Sequence, residues 1–496
     1  MARDFHCISV LLFLLVASYA LADTFQATKP NIVFVLVDDW GFADVGFRNP
    51  DIKTPNFDML AKSGLVLNRH YVFKYCSPSR ASLLTGRWPH HVHQWNPDPP
   101  GVPLGLNINM TLLPAKLKQA GYSTHIVGKW HEGFYSEDHL PVNRRFDTSS
   151  GFLTGMEDHM NQIRDCATDF WKGKAFDSRN GTYDAYIYRE DLTSIISAHN
   201  PVDPFFLYLP LHNVHGPLEA PTEWLDIYPI RSTCDQKRII QAMISVADNV
   251  TGLVVDLLKK NSMWNNTIMV VSADNGGIGA GSNYPLKGSK MTFFEGGVRV
   301  LAFANGGLLP DKMRGKTSEG FIHIADWYPT FCKQAGVDPT DSGEGKFPVD
   351  GLDVWPIMTG ESTTTPHDDI ILGYRFNGSG AIIAGNYKLI VGAQHFTEWD
   401  DIQSPCIKGN TGPNCDPYCL YDIFKDPSEH NDLSKTETNV LNDMLKRYNK
   451  YAEEPRDMQD QGYHTFKDLP VDDDACKYMT SHGSYWQPWK SKHHSE

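Results

Sequence analysis

Four short apolar runs punctuate the chain: "NIVFVLVDD" (31–39), "YSTHIVGKWH" (122–131), "PFFLYLPLHNVH" (204–215) and "NTIMVVSADNGG" (266–277). Each is β-branched or aromatic with little polar alternation and then breaks into polar residues. Continuous runs of this length predict strands buried on both faces, as in a parallel sheet, and are too short to span a membrane. Helical patterns lie between them. These are "TPNFDMLAKSG" closed by Gly64, "LLPAKLKQAG" closed by Gly121, and "IIQAMISVADNVTGLVVDLLKK", whose apolar residues recur three and four apart. The alternation predicts an α/β fold, a large mostly parallel sheet flanked by helices and joined by right-handed crossovers. Ligands of such sheets bind beyond the carboxyl ends of the strands. That rule gathers Asp38 and Asp39, Lys129 and His131, His215, and Asp274 and Asn275 on one rim.

The texture changes after residue 365. "AIIAGNYKLIVG" reads as a hairpin, "LYDIFKDPSEHNDLS" as a strand and turn, and "NVLNDMLKRYNKYAEE" as an amphipathic helix. A smaller C-terminal unit of antiparallel sheet plus one helix is expected over 366–496, after a main domain over 23–365. The last stretch, with Trp486, Trp489 and His493, carries no assignment.

Composition adds a compartment. Arg3, the apolar stretch Ile8 to Val16 and the small-x-small triplet Ala20-Leu21-Ala22 form a secretory signal over 1–22, with the mature chain starting at Asp23. Five Asn-x-Ser/Thr acceptors, at Asn109, Asn180, Asn249, Asn265 and Asn377, suit a secreted glycoprotein. A net charge of −14 argues against nucleic acid as a partner, which needs a cationic face. No later segment has the uninterrupted apolar length of a membrane span. Of nine cysteines, Cys7 leaves with the signal, Cys76 opens a motif, and Cys332 lies in the helix-like "ADWYPTFCKQAG". The remaining six, Cys166, Cys234, Cys406, Cys415, Cys419 and Cys476, allow three disulfides in fifteen connectivities. A zinc site at Cys415 and Cys419 is the weaker alternative, because no second closely spaced pair accompanies them.

The rim residues permit specific chemistry. Two carboxylates about 4 Å apart repel by roughly 4 kcal/mol at an effective dielectric near 20, so Asp38, Asp39 and Asp274 on neighbouring strands call for a cation. With the Asn275 amide oxygen they form an all-oxygen set that favours calcium or magnesium over zinc. "CSPSRASLLTG" reads as a helix start, with Pro78 in the first turn and Gly86 at its end, so Cys76 sits where free amide donors welcome an anion. Arg80, Lys129 and Lys290 add positive charge. The metal, the helix terminus and three cations together describe a site for a tetrahedral oxyanion. His215 and His131 are suited to proton transfer, with His212 a rival for the place of His215. His90, His91 and His93 resemble a metal tract only loosely and are expected on a pocket lip or a solvated loop.

At these residues the chain resembles the sulfatase family. "CSPSR…LLTGR" is similar to the signature Cys-x-Pro-x-Arg, and "VLVDDWG", "GKWHEG", "PFFLYLPLHNVHGPLEAP", "SADNGG" and "GSKMTFFEGGVR" resemble the family's other blocks in order. The likeness runs over about residues 30–360 and is strongest to the arylsulfatase B branch of N-acetylgalactosamine-4-sulfatase-like enzymes. It implies an alkaline-phosphatase-like fold and hydrolysis of aryl or sugar sulfate esters. It also implies that Cys76 is oxidised during secretion, by a formylglycine-generating enzyme, to an aldehyde whose hydrate attacks sulfur. By the same resemblance Asp38, Asp39, Asp274 and Asn275, with modified Cys76, bind calcium, and Arg80 steadies the hydrate. His131 is the base beside it, Lys129 and Lys290 clamp sulfate, and His215 protonates the leaving oxygen. The spacing to "EGG" favours Lys290 over Lys287 for its role. Glu132, after "GKWH", departs from the usual aliphatic residue. The segment "RWPHHVHQWNPDPPGVPLG" is peculiar to this chain, and a rim loop of this kind selects the substrate. A secreted or lysosomal enzyme is expected. The competing expectations are a phosphate or phosphonate hydrolase on the same fold, or an inactive sulfatase-like binding protein.

Overall fold

The four apolar runs form the middle of one sheet, as strands β1 (Asn31–Val37), β2 (Ser123–Val127), β3 (Phe205–Leu211) and β4 (Thr267–Ala273). They lie side by side in the order β4, β1, β3, β2, all parallel. Nearly every residue in them is buried, which explains why the runs lack polar alternation. Their register aligns the strand ends. Val37 pairs with Leu211 on one side and Ala273 on the other, so Asp38, His212 and Asp274 leave the sheet at the same level. Thr148–Gly151 extends the parallel set beyond β2.

The sheet is mixed rather than uniformly parallel. Ala302–Asn305 runs antiparallel to β4, Leu65–Leu67 antiparallel to that strand, and Lys316–Ser318 closes the edge. Trp171–Lys172 and Ala175–Phe176 form the other edge, making ten strands. Helices flank the sheet in two groups. The long helix Gln236–Lys260 packs with Asp184–Ala198 and Pro55–Ser63, while Cys76–Thr85, Leu113–Gln119 and Trp327–Ala335 pack together. Gln236–Lys260 is long and apolar enough to cross a membrane, but 78% of its apolar window is buried within the protein, as befits a core helix.

Strands β5 (Asp369–Tyr374), β6 (Gly380–Ala384), β7 (Tyr387–Val391) and β8 (Tyr418–Asp422) form a separate antiparallel sheet. The helix Thr438–Lys450 lies on β6 and β7, burying Met444 and Tyr448. Lys388 of β7 is wholly buried, with Nζ 2.8 Å from both Glu295 of the larger unit and Glu429 of the smaller one. The tail that sequence left unassigned returns to the larger unit. Cys476, in helix Ala475–Ser481, is disulfide-bonded to Cys166, and Trp486 is buried with its indole N–H donating to the Arg164 carbonyl at 2.8 Å. Cys415 pairs with Cys419, so that pair is a disulfide and not a zinc site. Cys76 and Cys332 are free and buried.

The computed structural model describes residues 29–490 except 178, 231–234, 343–346, 375–378, 401–413, 452–453, 455–471 and 473. The signal segment, Cys234, Cys406, Asn377 and His493 lie outside the described residues.

The buried Lys388 cation is paired with Glu429, and it shares Glu295 with Arg299, 3.5 Å from Oε2, and with the Tyr71 hydroxyl at 3.0 Å, so its removal takes the paired cation from Glu429 in a dry interior. Lys388→Met should lower unfolding stability by about 3 kcal/mol or more, read from urea midpoints. A variant as stable as the parent would show that the pairing contributes nothing net.

Candidate functional site

Cys76 begins helix α1 (Cys76–Thr85), whose ten residues are all buried. Tyr75 before it is extended, Pro78 fits the first turn, and Gly86 closes the helix in the left-handed region at φ 72°, donating its N–H to the Ser82 carbonyl at 2.9 Å. The Ser79 hydroxyl accepts from the Phe73 N–H at 3.0 Å and lies 3.1 Å from the Tyr75 carbonyl, tying the first turn to the chain that enters it. This turn faces the carboxyl ends of β1 and β4.

Most residues expected on the rim converge there. The Cys76 thiol lies 3.4 Å from Asp38 Oδ1, and Lys290 Nζ approaches its sulfur at 3.2 Å. Lys290 Nζ is also 2.6 Å from Asp39 Oδ1, and Lys129 Nζ is 2.5 Å from Asp38 Oδ2. Arg80 donates through Nε and Nη2 to Asp274 Oδ2 at 3.1 and 2.7 Å, and its Nη2 lies 3.4 Å from Asp38 Oδ2. Asn275 Nδ2 donates to Asp39 Oδ1 at 2.7 Å, leaving its buried Oδ1 without a partner. His215 Nε2 is 3.7 Å from Asp39 Oδ2. His131 is buried, and neither ring nitrogen has a partner. Asp39 and His131 also hold positive φ, 54° and 59°, strained for residues with a Cβ and of the kind concentrated at functional sites.

Charge decides the state of each group. Burial raises the Asp38 carboxyl, but Lys129, His215, Arg80 and Lys290 outweigh it and hold Asp38 well below the usual carboxylate range. Burial and the Asp38 charge push Asp274 up to about 6, despite Arg80. Burial, reinforced by Asp38, pushes the Cys76 thiol far up, so it stays protonated. Burial and then Lys290 lower His215 to about 4, and burial with Lys129 lowers His131 well below the usual histidine range. Both imidazoles are therefore neutral near pH 7.

The donor set fits a divalent cation. Ligand atoms of Asp38, Asp39, Cys76 and His215 lie within 4.8 Å of one another, beside the orphaned amide oxygen of Asn275. Oxygen donors of this kind suit calcium or magnesium. Asp274 sits at the margin of this group: its Oδ2 is taken by Arg80 and its Oδ1 accepts from the Asp39 N–H at 3.2 Å.

Neighbouring residues separate the rivals. His212 is fully buried, with Nδ1 2.9 Å from Asp184 Oδ2 and its ring stacked on His159 at 3.9 Å. His159 shares Asp184 at 2.9 Å, and its Nε2 meets the His215 carbonyl at 3.1 Å. This arrangement leaves His215 as the partly exposed imidazole of the pair, and Asp184 and His159, which sequence reasoning missed, hold its backbone. Only the three-dimensional pairing of distant segments reveals them. Lys287 lies over the rings of Phe294 and Trp399, at 4.4 and 4.7 Å, rather than beside Cys76. The expectation of a solvated loop at His90, His91 and His93 is corrected: all three are buried, held by Glu454, Asp350 and Glu132. Glu132 is likewise buried and meets His93 Nε2 at 3.2 Å, and burial raises its carboxyl above the usual range. His93 Nε2 is also 3.5 Å from the hydroxyl of Ser77, next to Cys76.

Comparison with known proteins bears on this site. The sulfatase family model matches residues 30–337. The chain is 34% identical over 470 residues to arylsulfatase J of Mus musculus, covering 87% of this chain and 77% of that protein. It is 29% identical over 480 residues to N-acetylgalactosamine-6-sulfatase of Sus scrofa, covering 88% and 87%. Among solved structures, Ps i-CgsB in complex with k-i-k-neocarrahexaose superposes with a TM-score of 0.75 at 28% identity, covering 88% of this chain and 96% of that one. The phosphonate monoester hydrolase of Agrobacterium radiobacter shares the fold alone, with a TM-score of 0.56 at 17% identity over 86% of this chain and 95% of that one.

Asp184 serves two buried imidazoles, so its loss leaves the Nδ1 atoms of both His159 and His212 unpaired, while His159 keeps only its contact with the His215 carbonyl. Asp184→Ala should cost about 3 kcal/mol of unfolding stability. An unchanged denaturation midpoint would remove Asp184 from the support of His215.

Proposed function

The chain belongs to the sulfatase family and is a sulfuric ester hydrolase, and from that premise we propose that it removes sulfate from sugars, using formylglycine made from Cys76 and a calcium ion. The observation that carries this reading is the state of Cys76. A thiol kept protonated by burial is a poor nucleophile, yet it occupies the focus of a site built for an anion. Conversion to an aldehyde explains both facts. Formylglycine would supply, once hydrated, one hydroxyl to attack sulfur and a second whose loss of a proton re-forms the aldehyde as the carbon–oxygen bond to sulfate breaks. Cys76 is 1% exposed, so conversion by a formylglycine-generating enzyme must precede folding, in the secretory pathway. From there the protein travels to the lysosome or the extracellular space.

Asp38, Asp39, Asp274, Asn275 and the side chain at 76 would hold the calcium ion, which would supply positive charge for the sulfate group. The remaining work falls to side chains. Lys129 and Lys290 offer ammonium groups to the sulfate, and because both already touch carboxylates at 2.5 and 2.6 Å their positions are set before substrate arrives. Arg80, anchored on Asp274, fixes the first turn of α1 and faces the side chain at 76. His131 is neutral with both nitrogens unpartnered, which suits it to take a proton from the hydrated residue 76. His215 is partly exposed beside Asp39 and is positioned to give a proton to the departing alcohol; the negative charge of a bound sulfate raises its low pKa toward that task. Sugar sulfates are the proposed class because relatives named for a sulfated sugar and a solved neighbour holding a carrahexaose share most of this chain's length. Arylsulfatase activity on small activated esters follows from the same core.

Two substitutions test the scheme. Cys76→Ala should lower kcat on an aryl sulfate by at least about 10³-fold with the fold intact by circular dichroism; a variant retaining full turnover would end the formylglycine reading. His215→Ala should slow a sugar sulfate by about 10² to 10⁴-fold and an activated aryl sulfate much less, since a good leaving group needs little protonation. Equal losses on both esters would remove His215 from the proton-donor role.

A further inference from the structure

Outside the Cys76 site, two clusters among the described residues bring three metal-ligating side chains together; His159, Asp184 and His212 are wholly buried, whereas His90, His91 and Glu454 have an open side. His90 and His91 lie on the single turn Pro89–Val92, just beyond α1, and both are buried. Adjacent helical residues ordinarily point in different directions. Here the two rings lie 4.1 Å apart, and their Nε2 atoms meet the same oxygen, Glu454 Oε2, at 3.3 and 3.2 Å. Two ligands held about 2.1 Å from a tetrahedral zinc ion lie roughly 3.4 Å from each other. The ligand atoms of His90, His91 and Glu454 are thus spaced as neighbouring corners of such a shell.

The surroundings complete the pattern. His91 Nδ1 lies 2.8 Å from Asp350 Oδ2, which also accepts the Trp88 N–H at 2.7 Å. A carboxylate on the far nitrogen of a ligating imidazole fixes its tautomer and strengthens its lone pair. His90 has no partner at Nδ1, so its polar interaction runs through Nε2. The carboxylate of Glu454 is 39% exposed, which leaves an open side for water as a fourth ligand.

We propose that His90, His91 and Glu454 bind a zinc-class divalent ion, with Asp350 orienting His91. The ion clasps the chain just after helix Thr438–Lys450 to the turn beyond α1, linking the smaller unit to the segment that carries Cys76. Imidazole and carboxylate donors distinguish it from the oxygen-rich cluster at Asp38 and Asp39, so the two sites take different ions.

The test is zinc content by mass spectrometry after the full-length, calcium-saturated protein is equilibrated with zinc and desalted. Wild type should retain one equivalent more than Glu454→Gln, which changes a half-exposed side chain and preserves its shape, and one more than His90→Ala/His91→Ala. Zinc should also raise the thermal midpoint of wild type and leave that of Glu454→Gln unmoved. Cobalt in place of zinc should give the intense visible bands of a tetrahedral ion in wild type alone. Equal zinc content in wild type and Glu454→Gln, whether none or one equivalent, would overturn the proposal and leave an ordinary imidazole–carboxylate contact.

Discussion

Three carboxylates buried at one level of a sheet govern this molecule. The register of β1 against β4 brings Asp38 and Asp274 out together, with Asp39 one residue on. Ligand oxygens of Asp38 and Asp39 lie within 4.8 Å of one another, and like charges about 4 Å apart repel by roughly 4 kcal/mol at an effective dielectric near 20. The fold offsets that repulsion with cations: Lys129 from the end of β2, Arg80 from α1 and Lys290 from a loop beyond β4. The site's positive groups therefore have a structural duty before a chemical one. The same balance positions α1, because Arg80 reaches Asp274 only if the first turn of that helix, and with it Cys76, faces the strand ends.

That arrangement explains why the oxidation state of residue 76 matters. Burial, reinforced by the Asp38 charge, suppresses thiolate formation, so the site as encoded is not a cysteine-nucleophile site. It is a cradle of three cations and three carboxylates, and in the proposed reading an oxygen nucleophile takes the place of the thiol. His131, without partners, and His215, held through its carbonyl by His159, are the histidines to which that reading gives the proton transfers.

Much of this was legible in the sequence, for physical reasons. Strands buried on both faces cannot alternate, so β1 to β4 read as continuous apolar runs, and the polar residue at the end of each run had to fall on the rim. Helix α1 was legible from Pro78 and Gly86, and the small sheet from the turn between β6 and β7. The antiparallel strands at both sheet edges were not, because two- to four-residue strands carry no periodicity of their own. The burial of His90 and His91 was equally hidden. Their partners Asp350 and Glu454 lie 259 or more residues away, and a histidine-rich stretch in isolation looks solvated. The return of the tail to the larger unit goes with the Cys166–Cys476 bridge, a pair found in three of the fifteen connectivities that spacing alone left equal.

The central claim is chemical, that residue 76 acts as an aldehyde and not a thiol. The most direct measurement is the mass of the tryptic peptide Tyr75 to Arg80 from protein secreted by a eukaryotic host, alongside sulfate release by the same preparation. The account predicts formylglycine at position 76 and activity proportional to the converted fraction. Full activity from protein whose Cys76 is entirely unmodified thiol would contradict it.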